Sequence, residues 1–144
     1  MAENAASECL CVIDTDGLHE LARVSGGNFK TTLVAHLKGG TICVPSWAWQ
    51  EFKTLYPDEA AELAKYISAR IQFNKAVHVR AARITERLNL GFSKGAYDAH
   101  IELYTASIAI NKGLIVLTSN DNLSAYDGMD CTVKSLTEWV NTFE

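Results

Sequence analysis

No Cys-x-x-Cys pair occurs among the four cysteines, Cys9, Cys11, Cys43 and Cys131. Structural zinc sites are commonly built on such pairs, so that class is set aside. Cys9, Cys11 and Cys43 lie in apolar strand-like runs, which reads as buried, reduced thiols of a cytoplasmic protein. No stretch approaches the length of a membrane span, and Met1 to Glu8 lacks the basic and apolar regions of a signal peptide. Those residues, 1–8, are expected to form a disordered tail. Basic residues are not in excess either: 13 Lys and Arg stand against 17 Asp and Glu, for a formal charge of −4. A generic polyanion binder is thereby excluded, and any nucleic-acid contact must be local or carried by a metal at an acidic site. No repeat, low-complexity tract or linker divides the 144 residues, so 9–144 is read as one domain.

What the chain does contain is an ordinary globular composition, 48% hydrophobic and 21% charged. Its first structured stretch is Cys9-Leu10-Cys11-Val12-Ile13, short and β-branched, ending on Asp14-Thr15-Asp16-Gly17. The run predicts a buried strand with two carboxylates at its end. In an open parallel sheet that edge is where ligands bind. The plainer alternative is that Asp14 or Asp16 caps the next helix.

Helical spacing follows over Leu18–Val24 and again over Phe29–Leu37. Thr41-Ile42-Cys43-Val44 predicts a second strand. Pro45 then opens a helix that carries Glu51, with Trp47, Phe52 and Leu55 as its anchors. Pro57 opens a helical hairpin, expected over Asp58–Ile71 and Lys75–Leu88 with a break at Gln72-Phe73-Asn74. A further helix, Ala96–Asn111, holds Asp98 and Glu102 four residues apart on one side. Leu114–Thr118 is the clearest strand and ends on Ser119-Asn120-Asp121-Asn122. Cys131-Thr132-Val133 predicts a last short strand, and Ser135-Leu136-Thr137-Glu138 has the form of a capping box. This order predicts an α/β domain with a central parallel sheet of about four strands and helices on both faces.

Asp14, Asp16, Glu51, Asp98 or Glu102, and Asp121 thus gather at one sheet edge. Carboxylates crowded together raise one another's pKa unless a cation neutralises them. Hard ions such as Mg²⁺ or Mn²⁺ take oxygen ligands of this kind and activate water against phosphodiesters.

Val12-Ile13-Asp14-Thr15-Asp16-x-Leu18 resembles the opening motif of PIN-domain nucleases. Ile42-Cys43-Val44-Pro45-Ser46 with Glu51-Phe52 is similar to their second strand and helix glutamate. Glu102, followed by Thr105-Ala106-Ser107-Ile108-Ala109 and Gly113, stands where they carry a third acid, usually Asp. Val116-Leu117-Thr118-Ser119-Asn120 resembles their strand ending in Thr-x-Asp/Asn. The match runs from Cys11 to Glu138. It implies a three-layer α/β/α fold and a Mg²⁺- or Mn²⁺-dependent endoribonuclease, of the toxin type in many small members. By resemblance Asp14, Glu51 and Glu102 are the metal ligands, and Asp121 or Asn120 orients the water or a second ion. Asp16, Asp98 and Thr118 support them. RNA is the implied substrate, with an antitoxin protein and a homodimer as implied partners. Two departures stand out: Glu102 replaces Asp, and Asn120 offers a neutral oxygen with Asp121 beside it.

Other readings stay open. A PIN-like domain without catalysis would serve as an RNA-binding or interaction module. Asp14-Thr15-Asp16-Gly17 also resembles the opening of haloacid-dehalogenase phosphatases, but the chain after Asn120 holds a single lysine, Lys134, and no acid pair at a strand end. Arg80, Arg83 and Arg87 follow i, i+3, i+7 on one helix face, either as RNA phosphate contacts or as a solvated surface.

Overall fold

The structure is a computed structural model that describes residues 9–24, 27–67, 70–71, 75–87 and 100–142. The expected tail at 1–8, the expected break at Gln72-Phe73-Asn74 and the candidate acid Asp98 lie outside these residues. In chain order the elements are β1 (Cys11–Ile13), α1 (Thr15–Arg23), α2 (Gly27–Gly39), β2 (Ile42–Pro45), α3 (Ser46–Leu55), α4 (Pro57–Ala64) and β3 (Arg70–Ile71). They continue with α5 (Lys75–Arg87), α6 (His100–Lys112), β4 (Ile115–Thr118), a 3-10 segment (Asn120–Tyr126), β5 (Thr132–Ser135) and α7 (Leu136–Asn141).

The strands form one parallel sheet in the order β3-β2-β1-β4-β5. Alternation along each strand sorts the core into two layers. Cys11 and Ile13 of β1, Ile42 and Val44 of β2 and Leu117 of β4 pack with α1, α2, α3, α4 and α7. Val12, Cys43 and Val116 face the other way, onto Ala81 and Ile84 of α5 and Leu103, Ala106 and Ile108 of α6. The expected α/β sheet covered on both faces is what the chain builds.

Local chemistry accounts for the element ends. Asp14 caps α1, Pro45 precedes α3 with φ −65°, Pro57 begins α4, and Ser135 with Glu138 forms the expected capping box of α7. Three expectations are corrected. The helix read over Asp58–Ile71 ends at Ala64, because Arg70–Ile71 pairs with Val44 and Pro45 and gives β2 a hydrogen-bonded neighbour. Leu55 is no anchor: it sits 56% exposed in the last turn of α3, while Ala48, Trp49 and Phe52 are the buried residues. The cysteines are not all reduced: Cys9 and Cys43 are joined across the β1–β2 border, Cα atoms 6.0 Å apart, and Cys11 and Cys131 are free. A sequence separation of 34 gave no hint of that pair. Burial pushes the Cys11 thiol up to about 12 against a smaller opposing pull from Lys134.

Gly17, on the first turn of α1, is where the helix touches the sheet. A Cβ there would lie 2.7 Å from Ile13 Cγ1 and 2.9 Å from the Leu117 carbonyl oxygen. The second of these is backbone and cannot step aside without moving β4. Gly17→Ala is therefore expected to destabilise the domain by about 1–3 kcal/mol in urea unfolding, and an unchanged midpoint would contradict this packing.

Candidate active site at the carboxyl edge of the sheet

β1 and β4 are central neighbours in register, Ile13 opposite Leu117. The residues that follow, Asp14 and Thr118, therefore arrive together at the carboxyl edge. The Asp14 backbone N–H donates to the Leu117 carbonyl at 3.2 Å, prolonging the ladder by one bond. The two oxygens of the Asp14 side chain then do separate jobs. Oδ1 accepts the Gly17 N–H at 2.8 Å and caps α1. Oδ2 accepts from Thr118 Oγ1 at 2.7 Å, Tyr126 Oη at 2.6 Å and Asn122 Nδ2 at 3.3 Å. The site and capping readings of Asp14 are thus both true, one per oxygen.

Asp14 is only 1% exposed. Burial raises its carboxyl to about 6, against the hydrogen bonds from Tyr126, Gly17 and Thr118, which favour the charged form. Burial, followed by the Asp14 charge, also drives the Tyr126 phenol well above its ordinary value. Asn122 extends the network, since Nδ2 lies 3.2 Å from Glu102 Oε2 and 3.2 Å from Thr118 Oγ1 as well. One amide nitrogen therefore stands between the carboxylates of Asp14 and Glu102.

Glu51 is set against Asp16 instead. Burial is the main cause of the raised Asp16 carboxyl, the Glu51 charge adds to it, and His19 opposes it. Asp121 acts on Glu20: burial raises the Glu20 carboxyl, the Asn120 backbone N–H donates to it and lowers it, and Asp121 raises it again. Glu20 Oε1 is buried without a hydrogen-bond partner among the described residues. An open cleft of about 460 Å³ lies between α1 and the start of the 3-10 segment, with Asp16, His19, Glu20 and Arg23 along one side and Ser119, Asn120 and Asp121 along the other. His19 is stacked on Tyr56, ring centroids 3.8 Å apart.

Of the acids predicted from sequence, Asp14 and Glu102 meet on a common donor, Asp16 and Glu51 form a second group, and Asp121 lines the cleft. Arg80 and Arg83 lie elsewhere, on α5; the side chain of Arg87 is outside the described residues. Among the described residues no three His, Cys, Asp or Glu side chains form a ready-made metal cage. Magnesium does not require one, because it keeps several waters and is held by one or two carboxylates with substrate phosphate. Sequence reasoning missed Asn122, Tyr126 and Glu20. The polar run Ser119–Asn122 contained the first of them, and Tyr126 stands one i, i+4 step beyond it, but no periodic pattern marks a 3-10 turn.

A parallel sheet in this order, two helical layers and an acidic carboxyl edge define a PIN-like α/β fold. The chain is similar to the crystal structure of PAE2754 from Pyrobaculum aerophilum, with a TM-score of 0.60 and 16% identity over 93% of this chain and 96% of that one. It is also similar to the structure of FitAB bound to the IR36 DNA fragment, with a TM-score of 0.62 and 14% identity over 88% of this chain and 95% of that one. No family model matches the chain, and no curated protein matches it. At these identities the likeness establishes the fold.

The buried carboxyl has a consequence for stability. Asp14 moves from an ordinary value of 3.8 to about 6 on folding, so between those values the folded chain keeps a proton that the unfolded chain has lost. Stability should therefore fall as pH rises from about 4 to about 6, by roughly 3 kcal/mol, and level off above. The difference between wild type and Asp14→Asn, from urea unfolding in EDTA, reads this contribution directly. A difference that grows in the opposite direction across the window would contradict the assignment.

Proposed function

We propose that this protein is a Mg²⁺- or Mn²⁺-dependent endoribonuclease whose acid centre is built on Asp14 and Glu102. The observation that carries the reading is the convergence of Asp14 Oδ2 and Glu102 Oε2 on a single nitrogen, Asn122 Nδ2, at the carboxyl edge of a PIN-like sheet. Two carboxylates brought from distant parts of the chain onto one positive dipole make a donor set suited to a hard cation. Asp14 and Glu102 would hold the ion. When bound, it would polarise a phosphodiester and supply a nucleophilic water at neutral pH.

The chain's own groups prepare that place. Thr118 and Tyr126 hold the Asp14 carboxylate by short hydrogen bonds. Asn122 keeps Glu102 facing it. Asp16 and Glu51 bring a second pair of mutually repelling charges to the same edge, where they would attract further cation or orient water. Asp121 and Asn120 stand across the cleft from Asp16, and their proposed role is to align an attacking water. An antitoxin protein is proposed as the partner, with homodimerisation and a cytoplasmic location as the setting. FitAB, a neighbour in fold, was solved on a DNA fragment, and among the described residues no helix is long and apolar enough to cross a membrane.

One feature favours a second reading. Asp14 is almost fully buried and already accepts four hydrogen bonds, as a purely structural hub would. A PIN-like binding module without catalysis would use it so. The two readings separate on ion binding. With Mn²⁺, the nuclease should cleave single-stranded RNA, and Asp14→Asn should reduce the rate at least 100-fold while remaining folded. Millimolar Mn²⁺ should also raise the melting temperature of wild type more than that of Asp14→Asn. Absence of both cleavage and calorimetric ion binding would leave the module. Glu102→Ala should cost far more activity than Asp98→Ala; equal losses would reassign the third acid.

A further inference from the structure

The α5–α6 hairpin carries a second polar constellation, away from the acid centre. The start of α5 meets the end of α6: Arg80 Nε donates to Asn111 Oδ1 at 3.1 Å, and Asn111 Nδ2 donates to the Ala76 carbonyl at 3.2 Å. Asn111 is thus anchored to the α5 backbone and in turn fixes the guanidinium of Arg80. With Nε engaged, the Nη groups of Arg80 are left as a pre-oriented fork for an oxyanion. Arg83, one turn on, and Lys75, at the first turn, complete the lining of a groove of about 400 Å³ with Ala76 and Val79. Among the described residues no acid lines it. Arg83 and Lys75 are exposed, and none of the three cations is ion-paired with a described residue. The groove lies where the amino end of α5 meets the carboxyl end of α6, so the two helix dipoles oppose each other there and the side-chain cations set its charge.

Its charge suggests an occupant, a polyanion. Because the hairpin is antiparallel, α5 leads from the groove back toward the end of α6 that carries Glu102. Asn111 and Glu102 are about 13 Å apart along α6 at 1.5 Å per residue, and about 100° per residue sets them on opposite sides of the helix, so a strand held in the groove passes around α6 to reach the acid centre. We propose that Lys75, Arg80 and Arg83 form a phosphodiester-binding groove that holds an RNA strand outside the acid centre. The groove would offset, at a distance, the repulsion between the acidic edge and a polyanion. This rests on reading RNA as the substrate, but binding does not require cleavage.

The test is fluorescence anisotropy of the intact protein with a labelled, unstructured 12-nucleotide RNA in EDTA, titrated between 50 and 200 mM salt. Arg80→Gln combined with Arg83→Gln should weaken binding about 10-fold at the lower salt. It should also flatten the slope of log affinity against log salt by about 1.4, roughly 0.7 for each phosphate no longer neutralised. Lys65→Gln, a charge removed from the surface of α4's end, should change neither. If the double variant melts early, Lys75→Gln with Arg83→Gln, both at exposed positions, should give the same loss. Wild-type binding that is absent, or that the variants leave unchanged in strength and salt slope, overturns the proposal. So does a glutamate-rich peptide that binds through Arg80 and Arg83 more tightly than RNA, which would assign the groove to a protein partner. Arginine-dependent RNA binding without Mn²⁺-dependent cleavage would sink the nuclease reading and leave the groove standing.

Discussion

A single buried carboxylate holds the carboxyl edge of this domain's sheet together. Asp14 ends the central strand, caps the first helix, and receives side chains from β4 and from the 3-10 segment that follows. Each of those elements could pack on the sheet by its apolar residues alone. What the carboxylate adds is direction: it decides where the turn after β4 runs and which way Tyr126 and Asn122 face. A buried polar network of this kind is stabilising only while it stays fully satisfied. The raised carboxyl of Asp14 records the cost of keeping the group away from water.

The same arrangement accounts for the division of the other acids. Glu102 enters through the amino end of α6 and is tied to Asp14 by an amide. Glu51 enters from α3 on the opposite layer and faces Asp16 instead. The edge therefore contains two acidic groups approached from the two helical layers, with the α1 cleft beside them. Carboxylates gathered so on one edge repel one another unless a cation neutralises them or positive charge elsewhere balances them.

Much of this is legible in the residues alone. The strands β1, β2 and β4 are short, β-branched and apolar, and each ends abruptly on polar residues, so both their type and their carboxyl ends can be read. Helix starts at Pro57 and Ser135 are equally clear, because proline and a capping box act locally. β3 is not legible: Arg70–Ile71 becomes a strand only because β2 offers a neighbour, and the local pattern there is helical. Leu55 misleads for a related reason, since spacing names a face but not whether anything covers it. At the site, Asp14 and Glu102 can be singled out by motif, and Thr118 by its place at a strand end. Asn122 and Tyr126 cannot, because a 3-10 turn aims side chains without leaving a repeat. The disulfide partner of Cys9 is hidden by the sheet order, which places β1 beside β2.

The partners of Asp14 lie far along the chain. Thr118, Asn122 and Tyr126 follow it by 104, 108 and 112 residues. On the ribosome the first strand emerges early, at a pace of about 5–20 residues per second, and then waits several seconds for the side chains that complete its carboxylate. Until β4 and the 3-10 turn are made, the acid has only the Gly17 N–H of its own helix as a partner, and Glu102 has no Asn122 to be tied to. Assembly of the acid edge therefore waits on the synthesis of β4 and the 3-10 segment. Loop closure over such separations is slow compared with local helix formation, so a nascent chain acquires its helices before it acquires a site.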